Sequence, residues 1–209
     1  MSLFHLYSQD SARKIIDQNS ALIDSICNSY HLPSAYLNAI LRMELPELNL
    51  FDKLADVLVA FNWARYKLFG TFDLERHTRN PLKKFDSSTG YAQIFAQVAI
   101  NAILFAQSQD IPVFLGIPGE LFPFRPDDLK LTWTRLHRDK VFNLSCAALN
   151  LIHAAFERTG RIDFDSYNER EIKMILSRYN GNAELISPYG EKAYLYYLEY
   201  VDRFSSSNP

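Results

Sequence analysis

An all-α, or nearly all-α, single domain is the fold class that the sequence predicts, and three observations predict it. Apolar residues recur at spacings of three and four along most of the chain, no run alternates as a half-buried strand would, and Gly, Pro, Asn and Asp fall between the periodic segments. The 209 residues suffice for one core of fair size, so residues 1–209 read as a single domain. With 48% apolar residues, 15 Phe, 12 Tyr and only 7 Gly, disordered and low-complexity classes are excluded.

Taken in order, residues 11–30 place Ile15, Ile16, Leu22, Ile23 and Ile26 on one helical face, with Asp10 as its cap. A second helix runs from Ser34 to Glu44; Pro33 precedes it, Ser34 is its candidate N-cap, Leu37, Ile40 and Leu41 form its apolar stripe, and Pro46 stops it. Residues 52–69 give a third, with Leu54, Leu58 and Phe61 inward and Gly70 at its end. Residues 70–85 lose the periodicity and read as a surface loop. From about Ile94 to Gln107 the pattern is apolar around most of the girth, which predicts the central buried helix, capped from Ser87-Ser88-Thr89. Six Pro and Gly residues between Pro112 and Pro126 then forbid a regular helix. Asp127 or Asp128 caps a short helix through Leu136. Asp139 caps a longer one that carries Leu144, Ala147, Ala148, Leu151 and Ala155 and closes at Gly160. Ile172, Ile175 and Leu176 mark a helix over 169–179 that ends at Gly181, and Ser187-Pro188 opens a Tyr-rich one to about Phe204, with 205–209 as a flexible tail.

Charge and composition narrow the partners. A formal charge of −2 and the lack of any basic run argue against nucleic acid, and no apolar stretch is long enough to span a membrane. The N-terminus has no positively charged segment leading into an apolar one, so the expectation is synthesis in the cytoplasm without a signal peptide. Cys27 and Cys146 read as buried free thiols. The five His residues lack ligand spacing, so neither metal nor cofactor is expected.

Glu44 is the residue out of place. It lies seven after Leu37, four after Ile40 and three after Leu41, which projects its carboxylate from the apolar stripe. Desolvation and the negative end of the helix dipole both raise its pKa, toward a group still protonated near neutral pH, as a general acid must be. The structural alternative is a terminal Glu that swings out to solvent.

Arg42-Met-Glu44, Asp86-Ser-Ser-Thr-Gly-Tyr-Ala-Gln-Ile94 and Ser177-Arg-Tyr-Asn-Gly-Asn182, in that order, resemble the three signatures of the superfamily of soluble lytic transglycosylases and goose-type lysozymes. The resemblance covers roughly residues 20–200. It departs at Leu45-Pro46, where the family commonly has Ser after its Glu, and in the long interval before the Ser/Gly turn, which makes 52–85 an insertion. The resemblance implies cleavage of the peptidoglycan glycan strand between N-acetylmuramic acid and N-acetylglucosamine, with Glu44 as catalytic acid and then base. Ser88, Gln93, Tyr179 and Asn180 would grip the sugar, and Tyr179 would hydrogen-bond the Glu44 carboxyl. Ser88 as a helix cap, Gln93 as a solvated residue and Tyr179-Asn180 as a plain helix end are the structural alternatives. A lytic transglycosylase needs one carboxylate. A hydrolytic muramidase needs a second, about 6.5–9.5 Å away, for which Asp86 is the candidate, with a cap role as its alternative. Asp73 and Glu75 are weaker candidates. A non-cleaving glycan-binding module, and an all-helical interaction protein whose three signatures are coincidental, are the remaining readings. Such an enzyme would reach the wall by a phage, lysis or injection apparatus, the last with an immunity protein as partner.

Overall fold

The computed structural model describes residues 6–48, 50–70, 72, 84–113, 116, 121–181 and 184–206. It is 72% helical, with nine helices and no strand among the described residues. In chain order these are α1 (Gln9–Gln18), α2 (Ser20–Ser29), α3 (Ser34–Glu47), α4 (Leu50–Phe69), α5 (Ala96–Ser108), α6 (Pro126–Arg138), α7 (Lys140–Thr159), α8 (Glu169–Tyr179) and α9 (Pro188–Ser206).

The centre of the molecule is α7 rather than the expected segment near residue 100. Thirteen of its 20 residues are buried, and it packs against α2, α3, α5, α6 and α8. Small side chains, Ser145, Cys146, Ala147, Ala148, Ala154 and Ala155, let those neighbours approach closely. Asp139 accepts from the Phe142 N–H at its start and Gly160, at φ 74°, closes it, as the sequence predicts. The segment expected at the centre became α5, which lies flat against α7 with Ala96, Ala99, Ile100, Ala102, Ile103 and Ala106 buried.

Three elements differ from expectation. The single helix over 11–30 is two, α1 and α2, divided at Asn19, whose Nδ2 donates to the Ile15 carbonyl at 2.6 Å and competes with the helical ladder. Its cap is Ser8, not Asp10. Pro46 does not stop α3 at Glu44: the proline sits within the last turn, and the Leu48 N–H closes the helix on the Glu44 and Leu45 carbonyls. Ser34 is the first helical residue there, not the cap. The buried face of α4 is Val59, Asn62 and Trp63, while Leu54 and Phe61 are 53% and 57% exposed.

That reversal follows from what α4 packs on. Its main support is the extended segment before the Ser/Gly turn rather than another helix. Trp63 meets Phe85 and Phe72 at ring distances of 4.9 and 5.7 Å, and Asn62 Nδ2 donates to the Lys84 carbonyl. Around this, α3 and α9 pack together, α8 bridges α7 and α9, and α6 covers α5. Residues 73–83, most of the predicted loop over 70–85, and 117–120 lie outside the described residues, and with them Asp73 and Glu75.

Candidate active site

Glu44 sits in the last turn of α3, one turn beyond Ile40 and Leu41, which are 0% and 2% exposed. Its carboxyl is drawn inward by the same stripe that anchors the helix. Burial pushes its pKa from 4.5 up to about 7. A hydrogen bond from the Tyr189 hydroxyl, 2.5 Å from Oε1, pulls the other way, and the nearby Glu47 and Asp52 charges push it up further. Glu44 nevertheless keeps partial exposure.

The tyrosine on Glu44 is therefore Tyr189, not Tyr179, which corrects the expectation. Tyr179, at the end of α8, donates instead to the Ala92 carbonyl at 2.9 Å. It remains close enough to Glu44 for that charge to help burial raise its own phenol well above the ordinary value. Tyr189 reaches Glu44 because α9 starts hard against α8. A Cβ on Gly190 would lie 1.9 Å from Ser177 Oγ, and the same Oγ accepts from the Ser187 N–H at 2.9 Å. No spacing in the sequence pointed to Tyr189.

The Ser/Gly turn is a closed loop held from below. Thr89 and Ile94 exchange backbone hydrogen bonds of 3.2 and 3.3 Å, Gly90 has φ 75° and Gln93 φ 44°. Asn143 of α7 fastens both sides of it: Nδ2 donates to the Thr89 carbonyl and Oδ1 accepts from the Ala92 N–H, both at 3.0 Å. Gln93 is turned back on the loop, donating to the Gly90 carbonyl at 2.7 Å, and Ser88 Oγ lies 3.4 Å from Gln93 Oε1.

Tyr179 thus links the turn, through the Ala92 carbonyl, to the neighbourhood of Glu44, while Ser88 and Gln93 bond within the turn itself. Asp86 does not join them as a free second carboxylate. Its two oxygens accept from the Ala96 and Gln97 N–H groups at 2.9 and 3.0 Å, so it caps α5 from ten residues upstream. Burial pushes its pKa up to about 7 against those bonds. The cap was expected in Ser87-Ser88-Thr89. Those residues serve other partners, because α5 starts at Ala96 and not at the turn. Asn180 is exposed at the end of α8, outside the groove described next.

A groove of about 980 Å³ opens beside the turn, between α4 and α6. Gly90, Tyr91 and Gln93 line its floor, Val57, Ala60, Trp63 and Ala64 one wall, and Trp133 and His137 the other. Leu48, which closes the Glu44 turn of α3, also lines it. Within it lies Asp56, which the sequence reading missed. Asp56 Oδ1 accepts from Ser87 Oγ at 2.7 Å and Oδ2 from Thr89 Oγ1 at 3.1 Å, with His137 Nδ1 3.3 Å away. Burial raises its pKa against these partners. The available signal was its position on the α4 face shared with Trp63, one helical turn from Val59.

Among the described residues no group of His, Cys, Asp and Glu could hold a metal ion. The chain matches no protein-family model, no curated protein and no solved structure.

Proposed function

We propose that the chain cleaves the glycan strand of peptidoglycan between N-acetylmuramic acid and N-acetylglucosamine, as a lytic transglycosylase with Glu44 as its single catalytic carboxyl. The observation that carries the reading is the Glu44 carboxyl itself, desolvated, held by a tyrosine hydroxyl and with its pKa pushed up to about 7; its helix turn meets the groove through Leu48, and the carboxyl is not itself among the groove's lining residues. A group with that pKa is protonated in about half the molecules at neutral pH.

In the proposed reaction the Glu44 proton passes to the glycosidic oxygen as the bond from that oxygen to the muramic C1 breaks, its electron pair leaving with the oxygen. The oxocarbenium-like sugar is then attacked at C1 by its own C6 hydroxyl, whose proton returns to Glu44. The acid is regenerated without water, so no second carboxylate is needed. The engagement of both Asp86 oxygens by α5 supports this over hydrolysis. Tyr189 would hold the carboxyl in one orientation through both transfers. Hydrolysis is the second reading, favoured by the presence of Asp56 in the groove. Mass spectrometry of digested sacculi decides. Strands ending in 1,6-anhydro sugars support the transglycosylase and reducing ends the hydrolase. A wild-type protein that binds sacculi and releases neither is a glycan-binding module.

A further inference from the structure

The groove carries more positive charge than the cleavage chemistry uses. Lys53 and Lys67 line it from α4, Lys130 and Arg138 from α6, and Lys140 from the start of α7. Two carboxylates face these five cations, and one of them, Asp56, already holds Ser87, Thr89 and His137. Among the described residues none of the five forms an ion pair; Lys140 Nζ instead donates to Asn19 Oδ1 at 2.9 Å. Several cations elsewhere are matched, Arg125 with Asp128, Arg161 with Glu171, Arg178 with Glu157, and Lys173 between Glu169 and Glu191, while ones unmatched among the described residues, such as Lys14, Arg170 and Lys192, lie outside this groove. A chain of net charge −2 has therefore collected unmatched positive charge along one groove.

Trp63 also lines the groove from α4; its indole Nε1 is buried and has no hydrogen-bond partner among the described residues.

We propose that the groove binds an anionic glycan, a strand whose alternate sugars carry carboxylates, and that Lys53, Lys67, Lys130 and Arg138 select it over a neutral glycan of the same backbone. The glycan part rests on the cleavage reading above, and the anion part on the groove's charge. Nucleic acid fits less well. A duplex sets a phosphate about every 3.4 Å of helix axis on each strand, with no uncharged stretch to place beside Asp52 and Asp56, whereas carboxylates on every second sugar alternate with neutral ones.

The test uses Glu44→Gln protein, which holds the strand without turning it over. Calorimetry compares peptide-free glycan strands bearing free muramic carboxylates with the same strands converted to methylamides. The free acid binds about tenfold tighter, and raised salt narrows the gap. The double changes Lys53→Gln/Lys67→Gln and Lys130→Gln/Arg138→Gln each shrink the preference severalfold. Lys192→Gln/Arg170→Gln, the same charge loss on α9 and α8 outside the groove, leaves it intact. Equal affinity for the two glycans, or a preference that the groove variants do not move, overturns the charge selection while sacculus cleavage by the wild type still stands. An oligothymidylate that binds more tightly than the acid glycan overturns it in favour of nucleic acid. If neither glycan binds and wild-type protein leaves sacculi uncut, the cleavage reading falls with it.

Discussion

At Glu44, burial and the Tyr189 hydroxyl act on one carboxyl in opposite directions, and each can be removed separately. The folded pKa of about 7 lies above the unfolded value near 4.5, so the native state keeps a proton that the unfolded chain has lost between those limits. This contribution to stability is full below pH about 4.5 and is lost as pH rises through about 7. Glu44→Gln, which has no proton to lose, should therefore be more stable than wild type at pH 8, on the order of 3 kcal/mol by denaturant titration. It should also lose at least about a thousandfold in sacculus cleavage. Tyr189→Phe removes the bond that lowers the pKa. The alkaline limb of the cleavage pH profile, near pH 7 in wild type, should then move upward. At Gly90, a Cβ would lie 2.2 Å from Asn143 Nδ2 and 2.7 Å from the Leu136 carbonyl, on a backbone with φ 75°. Gly90→Ala should lower stability on the order of 3 kcal/mol in the same titration. The sequence exposed Glu44 because three apolar neighbours at helical spacing left its carboxyl only one direction to point. It could not expose Tyr189, which lies 145 residues away along the chain and reaches Glu44 through the packing of α9 on both α8 and α3.

Among the elements, some helix ends set by adjacent residues were legible and faces set by distant partners were not. Asp139 with Gly160 and Pro188 at the first turn of α9 are local chemistry, written within a few residues, whereas the expected caps Asp10 on α1 and Asp127 or Asp128 on α6 give way to Ser8 and Arg125. Periodicity over α4 shows two apolar stripes, one through Leu54 and Phe61 and one through Val59 and Trp63, and says nothing about which meets Phe85. The cap of α5 was equally hidden, since Asp86 folds back across ten residues to reach it. Asp86→Ala should cost about 1–2 kcal/mol, read as a lowered denaturation midpoint. For α4 the polar anchor is Asp56. Asp56→Ala should speed amide exchange across residues 50–69 at least tenfold and leave the middle of α7 unchanged.

For the molecule as a whole, the two thiols report on the integrity of the core. Cys27, whose thiol burial pushes up to about 12, lies on α2, and Cys146, shifted upward by the same cause, lies within α7. Neither should react with an aromatic disulfide reagent at pH 8 until the core opens. Both should then react together, at a rate whose denaturant dependence matches global unfolding. Labelling of one thiol without the other would reveal that α2 separates from α7 on its own. The turn at Thr89–Ile94, bolted on both sides to Asn143, gives the groove an unequal build. Its floor is fastened to the most deeply packed helix of the fold, while the α4 wall leans on a few aromatic rings and one carboxylate. A polymer entering the groove would meet a stiff anvil beside a compliant jaw, so any adjustment to strands of different girth would come from the jaw.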